Sequence, residues 1–501
     1  MVRTYCPFLF HIRPMTPLPS EYDFDPADWP AATALGQRML ADMMNYLEGV
    51  GDEVSWQQIP DAVKKRMRAP LPQTGQPLGE IYAEFLRDVV PYNKKNIHPA
   101  FYAWVQGTGT VTGLLADMLA SALNPNVTIG EHMPMYVDAQ AVDWCKELMG
   151  FPASASGMLV SGGSMANITA LTVARNSQLG PDFREEGFGA DMPRTTVYCS
   201  TETHSCVQKA VEIMGIGNRY LRRVPVNDRY ELEYEALIQA IEEDIAAGHR
   251  PICVVATART VNTGAIDPME EIFNVCQRFG LWFHVDGAYG ALCRLDPTYR
   301  ERLGYMERAD SIAFDLHKWM YLPYEVGCVL IRDRDSHRRS FALTPSYLQS
   351  SDRGLAGGPD PLNNYGFELS RNFKALKVWM SLKENGVEGY ARLIIQNNRQ
   401  AEYVSGLAAA TDCLEVVAPV SMSIVCLRYI RPGMTEEESN ALNRELLLRL
   451  HERGIASPSA TVLRGIYCIR ICIVNHKTKN RDLARLVEAL EGIGDELYRS
   501  V

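Results

Sequence analysis

Short apolar runs alternate with segments of helical length through the middle of the chain, from about residue 98 to residue 386. Strands of a parallel sheet read as unbroken apolar runs because both of their faces are covered, and the helices between them cross over the sheet. The pattern therefore predicts an α/β fold with a mainly parallel central sheet flanked by helices. The predicted strands are 158–161, 195–199, 252–257, 281–286, 311–315 and 326–331.

The two ends of the chain follow other patterns. Residues 26–91 carry apolar stripes at helical spacing and no strand-like run, which predicts a helical arm that packs on another surface. Near the C-terminus, strand-like segments at 423–429 and 467–473 precede a helical stripe over 483–497. This combination predicts a small α+β unit.

The predicted organisation has three parts. A stretch rich in Gly, Pro and Asn at 350–364 predicts a loop between the large and small units. Met15 precedes a polar segment, so residues 1–14 are expected to be an upstream extension without structure. The expected parts are an N-terminal extension with a helical arm over 1–95, a large domain over 96–395 and a small C-terminal α+β domain over 396–501.

The composition is that of an ordinary globular protein, since 47% of the 501 residues are hydrophobic and 22% are charged. A chain this long buries a large core and needs no disulfide or metal to stabilise it. The net charge of -10 and the scattered Lys and Arg residues exclude nucleic acid as the main partner. No apolar run reaches the ~18 residues that span a bilayer. With no secretory signal pattern, the sequence predicts a cytoplasmic protein without a membrane partner.

The twelve cysteines are dispersed along the chain. Several lie inside apolar runs, as Cys253, Cys328 and Cys426 do, and no Cys-x-x-Cys pair is present. This distribution predicts buried free thiols in a reducing compartment, without a disulfide framework or a metal site.

A glycine-rich turn follows the first strand of the predicted sheet. Gly162-Gly163-Ser164 leads directly into a helix, so free backbone N–H groups and the positive end of the helix dipole are available to an anion. The turn is a candidate phosphate cradle, and a plain tight turn is the alternative. It is not the Gly-x-Gly-x-x-Gly pattern of dinucleotide-binding proteins, and no Walker lysine follows it.

Other predicted strands end in side chains that can carry chemistry, at the edge of the sheet where α/β proteins bind ligands. Asp286 ends a buried apolar run, where a carboxylate needs a cation, hydrogen-bond donors or a helix to cap. Lys318, beside His317, follows another run; desolvation is expected to lower the pKa of its amine and suit it to Schiff-base formation. A solvated surface lysine is the alternative. His204 is a candidate catalyst or a structural hydrogen-bonding residue.

Together these features meet the requirements of a pyridoxal-phosphate site. The cofactor needs an anion cradle, a lysine for a Schiff base, a carboxylate that keeps the pyridine nitrogen protonated and a flat group over the ring. The glycine-rich turn, Lys318, Asp286 and His204 supply these four parts.

The sequence resembles the pyridoxal-phosphate-dependent group II decarboxylases, the aromatic-amino-acid and glutamate decarboxylase family of fold type I. The resemblance extends from about Asp25 to the C-terminus. It implies a carboxy-lyase that uses pyridoxal phosphate, with a helical arm that clasps the partner subunit of a homodimer and an active site at the interface. The stretches that carry it are Asn96-Ile-His-Pro-Ala-Phe-Tyr, Val160-Ser-Gly-Gly-Ser-Met-Ala-Asn, Thr203-His204-Ser205, Asn262-Thr-Gly-Ala-Ile-Asp, His284-Val-Asp-Gly-Ala-Tyr, His317-Lys-Trp and Glu368-Leu-Ser-Arg-Asn-Phe-Lys-Ala-Leu-Lys-Val-Trp.

The resemblance implies catalytic roles for several of these residues. Lys318 forms the Schiff base with the cofactor. Asp286 pairs with the pyridine nitrogen, and Ala288 lies against one face of the ring. His204 stacks on the other face and is placed to move a proton. His317 reaches toward the phosphate.

The resemblance also implies further binding residues. Gly163 and Ser164 hold the phosphate, and Asp315 and Thr260 contact the cofactor. The substrate pocket is expected to be lined by Phe101, Trp104 and Arg259. Trp104 suits an aromatic substrate side chain, and core packing is its alternative role.

Two positions depart from the family pattern. Aromatic decarboxylases carry a loop tyrosine that protonates the carbanion, and a gap-free alignment places Leu362 at that position, with Tyr365 nearby. Either Tyr365 or Tyr347 supplies the proton, or the donor differs, or the enzyme runs an oxidative reaction. Arg259 stands where the family usually has glycine, and it is expected to meet a substrate carboxylate or the cofactor phosphate.

The leading hypothesis is decarboxylation of an L-amino acid, of the tyrosine, tryptophan, phenylalanine or DOPA type, to the amine and CO2. The alternatives are an aromatic aldehyde synthase on the same scaffold, a decarboxylase of a non-aromatic amino acid and a silent pyridoxal-fold binding protein. The presence of Lys318, Asp286 and His204 argues against the silent protein. A nicotinamide dehydrogenase is disfavoured because no Gly-x-Gly-x-x-Gly follows a strand.

Overall fold

The structure, a computed structural model, describes residues 23–343, 351 and 353–500. Its helices are α1 Trp29–Gly49, α2 Asp61–Arg66, α3 Leu78–Asp88, α4 Val111–Leu123, α5 Met133–Met149, α6 Gly163–Leu179, α7 Phe183–Glu186, α8 Ser205–Ile213, α9 Tyr234–Ala246, α10 Met269–Phe279, α11 Leu316–Trp319, α12 Arg334–Phe341, α13 Ala375–Ala409, α14 Glu436–Glu452 and α15 Asn480–Arg499. Its strands are β1 Phe101–Tyr102, β2 Ser156–Val160, β3 Thr195–Ser200, β4 Leu221–Val224, β5 Arg250–Thr257, β6 Trp282–Asp286, β7 Ser311–Asp315, β8 Gly327–Ile331, β9 Leu414–Val416, β10 Ile424–Tyr429, β11 Ser457–Leu463 and β12 Ile466–Cys472.

A seven-stranded sheet forms the centre of the large domain, in the order β2-β8-β7-β6-β5-β3-β4. Strand β8 runs antiparallel to β2 and β7, and the remaining pairs are parallel. This confirms the predicted α/β fold with a mainly parallel sheet. The predicted strands correspond to β2, β3, β5, β6, β7 and β8. Strand β4 was not predicted, because this edge strand carries Arg222 and Arg223 between its apolar ends.

Helices cover both faces of the central sheet, which explains why its strands are apolar throughout. Side chains alternate between the faces along β5. Val254 and Ala256 pack in a core with α5, α9 and α10, whereas Cys253 and Val255 pack in a second core with α6 and α8. The charged residues Asp286 and Asp315 lie at the carboxyl ends of β6 and β7, where the site forms.

A five-stranded sheet in the order β1-β11-β12-β10-β9 forms the small unit, with α14 and α15 in its core. The predicted segments 423–429, 467–473 and 483–497 correspond to β10, β12 and α15. Strand β1, from the residues after the arm, pairs in parallel with β11, so the chain adds a strand to this sheet before it enters the large domain. The predicted boundary between residues 395 and 396 falls inside α13.

The N-terminal arm comprises α1, α2 and α3, as the helical pattern over 26–91 predicted. Helix α1 has no fully buried residue in this chain. The expected extension over residues 1–14 lies outside the described residues.

Two absences hold for the part of the chain that the structure describes. No helix there is long and apolar enough to cross a membrane. No cluster of three or more His, Cys, Asp or Glu side chains there could hold a metal ion.

The eleven cysteines in the described part of the chain are free and buried, as their positions in apolar runs predicted.

Candidate active site

A cavity of about 500 Å³ lies at the carboxyl ends of β5, β6 and β7. It brings together most of the residues that the sequence singled out. They are Gly163, Ser164, His204, Asp286, Ala288, Asp315, His317, Lys318, Trp104 and Arg259. A larger cavity of about 730 Å³ beside α5 and α13 contains none of them and is lined instead by residues such as Trp144, Arg294 and Lys383. The chemistry of the chain is therefore concentrated in the smaller cavity.

Lys318 lies on the short helix α11, directly after β7. Its Nζ is 2.7 Å from Asp315 Oδ2. Burial alone lowers the pKa of Lys318, but the attraction of the Asp315 and Asp286 carboxylates outweighs it, so the pKa is raised overall. The expectation that desolvation lowers this pKa is therefore corrected, because the sequence places Asp315 three residues before Lys318 but does not show that the two side chains form an ion pair.

The glycine-rich turn packs directly against the other parts of the site. A Cβ atom on Gly163 would lie 3.0 Å from both Ala288 Cβ and Asp315 Oδ2, and one on Gly162 would lie 3.1 Å from His317 Cε1. Glycine is needed here for this close approach, which leaves the first N–H groups of α6 at the cavity wall. Helix α6 has 17 residues, so its dipole places partial positive charge at its N-terminus. Together with the Ser164 hydroxyl at the cavity, this end of the helix can bind an anion.

Asp286 ends β6 and is buried, with 4% of its surface exposed. Its Oδ1 accepts a hydrogen bond from the Ala288 N–H at 3.1 Å. Among the described residues, its Oδ2 has only the weak Cys206 Sγ donor, at 3.8 Å. One carboxylate oxygen is thus left for a stronger donor such as the N–H of a protonated pyridine ring.

His204 caps the N-terminus of α8. Its Nδ1 accepts a hydrogen bond from the Cys206 N–H at 3.2 Å, so in the neutral ring the proton lies on Nε2. Burial lowers the pKa of His204, which favours the neutral ring at neutral pH. A neutral imidazole with an N–H at the cavity suits both stacking on a flat ring and proton transfer.

His317 and Asp315 occupy the wall between Lys318 and the glycine-rich turn. Burial lowers the pKa of His317, whose Nδ1 lies 2.9 Å from the Val326 carbonyl oxygen. Its Nε2 lies 3.7 Å from Asp315 Oδ2. Asp315 Oδ1 is buried and accepts no hydrogen bond from the part of the chain that the structure describes, so this oxygen can meet a further donor.

Two predicted binding residues lie away from the cavity wall. Thr260 is fully buried, and its hydroxyl contacts Thr263 Oγ1 at 3.1 Å and accepts from the Ala265 N–H at 3.1 Å. Thr257 borders the cavity in its place. Phe101 is buried behind Trp104, with the ring centroids 6.4 Å apart. Both residues support the wall and do not form it.

Trp104 does border the cavity and is 55% exposed. The small unit fixes its backbone, which has a left-handed φ of 53°. Its N–H donates to Ser459 Oγ at 3.3 Å, and its carbonyl accepts from Arg470 Nη1 at 2.9 Å. The indole is therefore held where it can contact a substrate side chain.

Tyr365 is not in the cavity, which corrects its predicted role as proton donor. It is 4% exposed, packs in the core with α6 and α8, and donates its hydroxyl to Asp360. Arg334 Nε donates to the same hydroxyl at 3.0 Å. Leu362 lies in a short turn that packs against both cores. Tyr347, the other predicted donor, lies outside the described residues.

Arg259 borders the cavity, but its guanidinium lies over the Tyr289 ring, 3.5 Å from the centroid. One of its Nη groups donates to Ser423 Oγ at 3.3 Å, and its Nε and other Nη find no acceptor in the described residues. The Arg259 cation therefore rests on the aromatic face of Tyr289 and joins the end of β5 to the small unit through its hydrogen bond to Ser423. Contact with a substrate stays a prediction.

Three residues that the sequence left without a role lie directly beneath the site: Asn167, Cys206 and His284. For Asn167 and His284, the spacing from predicted site residues along the sequence could have indicated this position. Asn167 follows Gly163 by one helical turn, and His284 precedes Asp286 by two residues and so lies on the same face of β6.

These residues fit pyridoxal phosphate. Asp286 offers a buried oxygen with only a weak thiol donor among the described residues, and the glycine-rich turn offers an anion cradle in the wall of the same cavity. Lys318 borders this cavity, and Ala288 and His204 offer it flat contacts. The donor set matches each chemical group of the cofactor.

Comparison with known proteins agrees with the geometry. The family model described as the pyridoxal-dependent decarboxylase conserved domain matches residues 60–430. An aromatic-L-amino-acid decarboxylase of Bacillus atrophaeus is 33% identical over 462 residues, 92% of this chain and 94% of that protein. A phenylacetaldehyde synthase of Petunia hybrida is 26% identical over 87% of this chain and 89% of that protein. The crystal structure of Oryza sativa TDC with PLP and tryptamine superposes with a TM-score of 0.87 at 26% identity, covering 95% of this chain and 99% of that one.

Proposed function

Since the chain belongs to the pyridoxal-dependent decarboxylase family, we propose that it converts aromatic L-amino acids to the corresponding amines and CO2. The chain is a pyridoxal-phosphate-dependent amino-acid decarboxylase. The observation that carries the proposal is the meeting of Lys318, Asp286 and His204 around one cavity beside an anion cradle.

Pyridoxal phosphate, when bound, supplies an electron sink for the carbanion that loss of CO2 leaves. The residues of the protein can stabilise the charged groups of the cofactor. With the cofactor in this cavity, Asp286 Oδ2 would keep a proton on the ring nitrogen, and the N-terminus of α6 with Ser164 would bind the phosphate. Lys318 and the Nε2–H of His204 would be the groups that hold and move protons there.

The proposed aromatic substrate is supported by the wall that Trp104 forms. Its indole is half exposed at the cavity and held by the small unit. An aromatic side chain can stack there at a gain of about 0.5–1.5 kcal/mol beyond its burial. The Bacillus atrophaeus relative, an aromatic-L-amino-acid decarboxylase that aligns over 92% of this chain, supports the same substrate class.

A specific observation also favours a second candidate, an aromatic aldehyde synthase. Tyr365 is held away from the cavity by Asp360 and Arg334, and Leu362 packs in the core, so neither can protonate the carbanion. The Petunia hybrida relative is named for aldehyde synthesis. Where protonation by Lys318 or His204 is slow, oxidation of the carbanion by O2 competes with amine formation.

We further propose a homodimer in the cytoplasm. The arm supports the dimer because α1 buries no residue completely and α3 leaves Leu78, Ile81 and Phe85 exposed. The eleven buried free thiols in the described residues support a reducing compartment.

The proposed function is tested by supplying purified protein with pyridoxal phosphate and a panel of aromatic and non-aromatic L-amino acids. Amine, aldehyde, CO2 and hydrogen peroxide are measured together. Amine and CO2 in equal amounts from an aromatic substrate support the proposal, and aldehyde with peroxide supports the second candidate. Turnover of non-aromatic amino acids alone would refute the substrate class.

A further inference from the structure

A chain of hydrogen bonds runs through buried side chains beneath the cavity. Trp282 Nε1 donates to Ser311 Oγ at 2.8 Å, and Ser311 Oγ lies 2.8 Å from His284 Nδ1. His284 Nε2 lies 2.7 Å from Asn167 Oδ1, and Asn167 Nδ2 donates to the Gly163 carbonyl at 2.8 Å. Ser311, His284 and Asn167 are all fully buried.

The two ends of this chain fix the direction of every bond in it. The Gly163 carbonyl can only accept, so the amide nitrogen of Asn167 faces it and the amide oxygen faces His284. His284 must therefore carry its proton on Nε2. Burial lowers the pKa of His284 to about 4, so the ring is neutral and its Nδ1 accepts from the Ser311 hydroxyl. That hydroxyl in turn accepts from the Trp282 N–H, which can only donate.

Asn167 also contacts the element that carries His204. Its amide nitrogen lies 3.5 Å from Cys206 Sγ, near the start of α8. Burial raises the pKa of the Cys206 thiol, so the S–H is retained and points to Asp286 Oδ2 at 3.8 Å. One side chain thus reaches the glycine-rich turn, the strand that ends in Asp286 and the helix that His204 caps.

We propose that Asn167 is a positioning residue for pyridoxal phosphate, which sets the separation between the phosphate cradle at Gly163 and the carboxylate of Asp286. The two ends of the cofactor bind to different elements, and its ring is rigid, so a fixed separation is required for both ends to bind at once. Asn167 ties these elements together through neutral, fully satisfied bonds. The proposal rests on the cofactor of the proposed function and not on the substrate.

The test compares N167A with N443A in the full chain. Asn443 is an equally buried asparagine that bonds the Tyr429 and Ser439 carbonyls in the small unit, so N443A controls for loss of a buried amide. The measurements are the dissociation constant of pyridoxal phosphate and the circular dichroism of the bound cofactor. We expect N167A to weaken cofactor binding about 10- to 100-fold, as when a hydrogen-bond partner of a metal-ligating residue is removed. N443A should leave cofactor binding unchanged.

A second variant keeps the test decisive if N167A folds poorly. S311A removes the hydroxyl that holds His284 in one tautomer, and it should weaken cofactor binding about 2- to 10-fold. Wild-type cofactor affinity in a folded N167A or in S311A would overturn the proposal. Equal weakening in N443A would also overturn it, because the effect would then be general destabilisation. Since the readout is cofactor affinity, failure to decarboxylate aromatic amino acids would not affect this result.

Discussion

Lys318 Nζ lies 2.7 Å from Asp315 Oδ2 in the wall of the cavity. Asp315 is buried, with 3% of its surface exposed, and holds the lysine as an ammonium ion. Attack on a carbonyl requires the neutral amine, so Asp315 sets the pH at which Lys318 becomes a nucleophile.

The D315N variant should therefore attach pyridoxal phosphate covalently at lower pH than the wild type. Removing the carboxylate leaves burial as the main influence on Lys318, and burial lowers its pKa. The measurement is the rate of borohydride-reducible cofactor attachment as a function of pH. An unchanged profile would show that Asp315 does not control the lysine.

The Y365F variant should keep its turnover within about threefold of the wild type and form the same products. The Tyr365 hydroxyl is occupied by Asp360 and Arg334, so its loss costs about 1 kcal/mol of stability and no catalytic proton. Amine and aldehyde are measured for Y365F and, as the comparison, for Y347F. A switch from amine to aldehyde in Y365F would restore Tyr365 as the proton donor.

The R259M variant tests whether Arg259 binds substrate. Its guanidinium lies over Tyr289 and has no carboxylate partner among the described residues, so an apolar side chain of similar length should fold as stably. We expect the melting temperature to be kept; if Arg259 makes no substrate contact, KM for the aromatic substrate changes less than about twofold, since removal of a substrate contact would raise KM. A KM raised about tenfold at constant kcat would instead show that Arg259 binds the substrate.

Asp138 predicts a pH dependence of stability. Burial raises its pKa to about 6, against the opposing effect of Arg371, whose nearest nitrogen is 4.0 Å away. The oxygens of Asp138 accept no hydrogen bond from residues 23–343, 351 or 353–500. Because the folded pKa lies above the unfolded value of 3.8, the folded state binds the extra proton, and this contribution to stability is lost as the pH rises from 4 through 6.

The amide side chain of the D138N variant mimics the protonated acid. The free energy of unfolding of D138N should therefore increase relative to that of the wild type as the pH rises. The expected difference in unfolding free energy between pH 4 and pH 7 is about 2–3 kcal/mol, from the pKa difference at 1.36 kcal/mol per unit. Denaturant unfolding of both proteins at each pH measures it. A constant difference across this range would show that the pKa of Asp138 is the same in the folded and unfolded states.

Much of this architecture is predictable from the sequence where one physical cause dominates. The strands from Ile252, Trp282 and Ser311 read as apolar runs because helices cover both faces of the sheet. The ends of such strands meet at one edge, which is why Asp286 and Lys318 could be placed together.

The remaining features depend on contacts between distant residues. The pKa of Lys318 depends on the rotamer of Asp315, and the position of Tyr365 depends on Asp360 and Arg334. Strand β11 was not predicted because its first residues, Ser457, Pro458 and Ser459, form neither an apolar run nor an apolar–polar alternation. These outcomes come from tertiary packing, which a linear pattern does not contain.

Catalysis by Lys318 and the surrounding cavity is tested by the release of CO2 from an aromatic amino acid. The measurement follows CO2 from carboxyl-labelled L-tyrosine, L-tryptophan and L-DOPA, together with amine, in the wild type and in K318A. We expect one CO2 for each amine from at least one of these substrates in the wild type, and none above background in K318A. Labelled CO2 at equal rates in both proteins, or no CO2 from any of the three substrates in the cofactor-loaded wild type, would contradict this expectation.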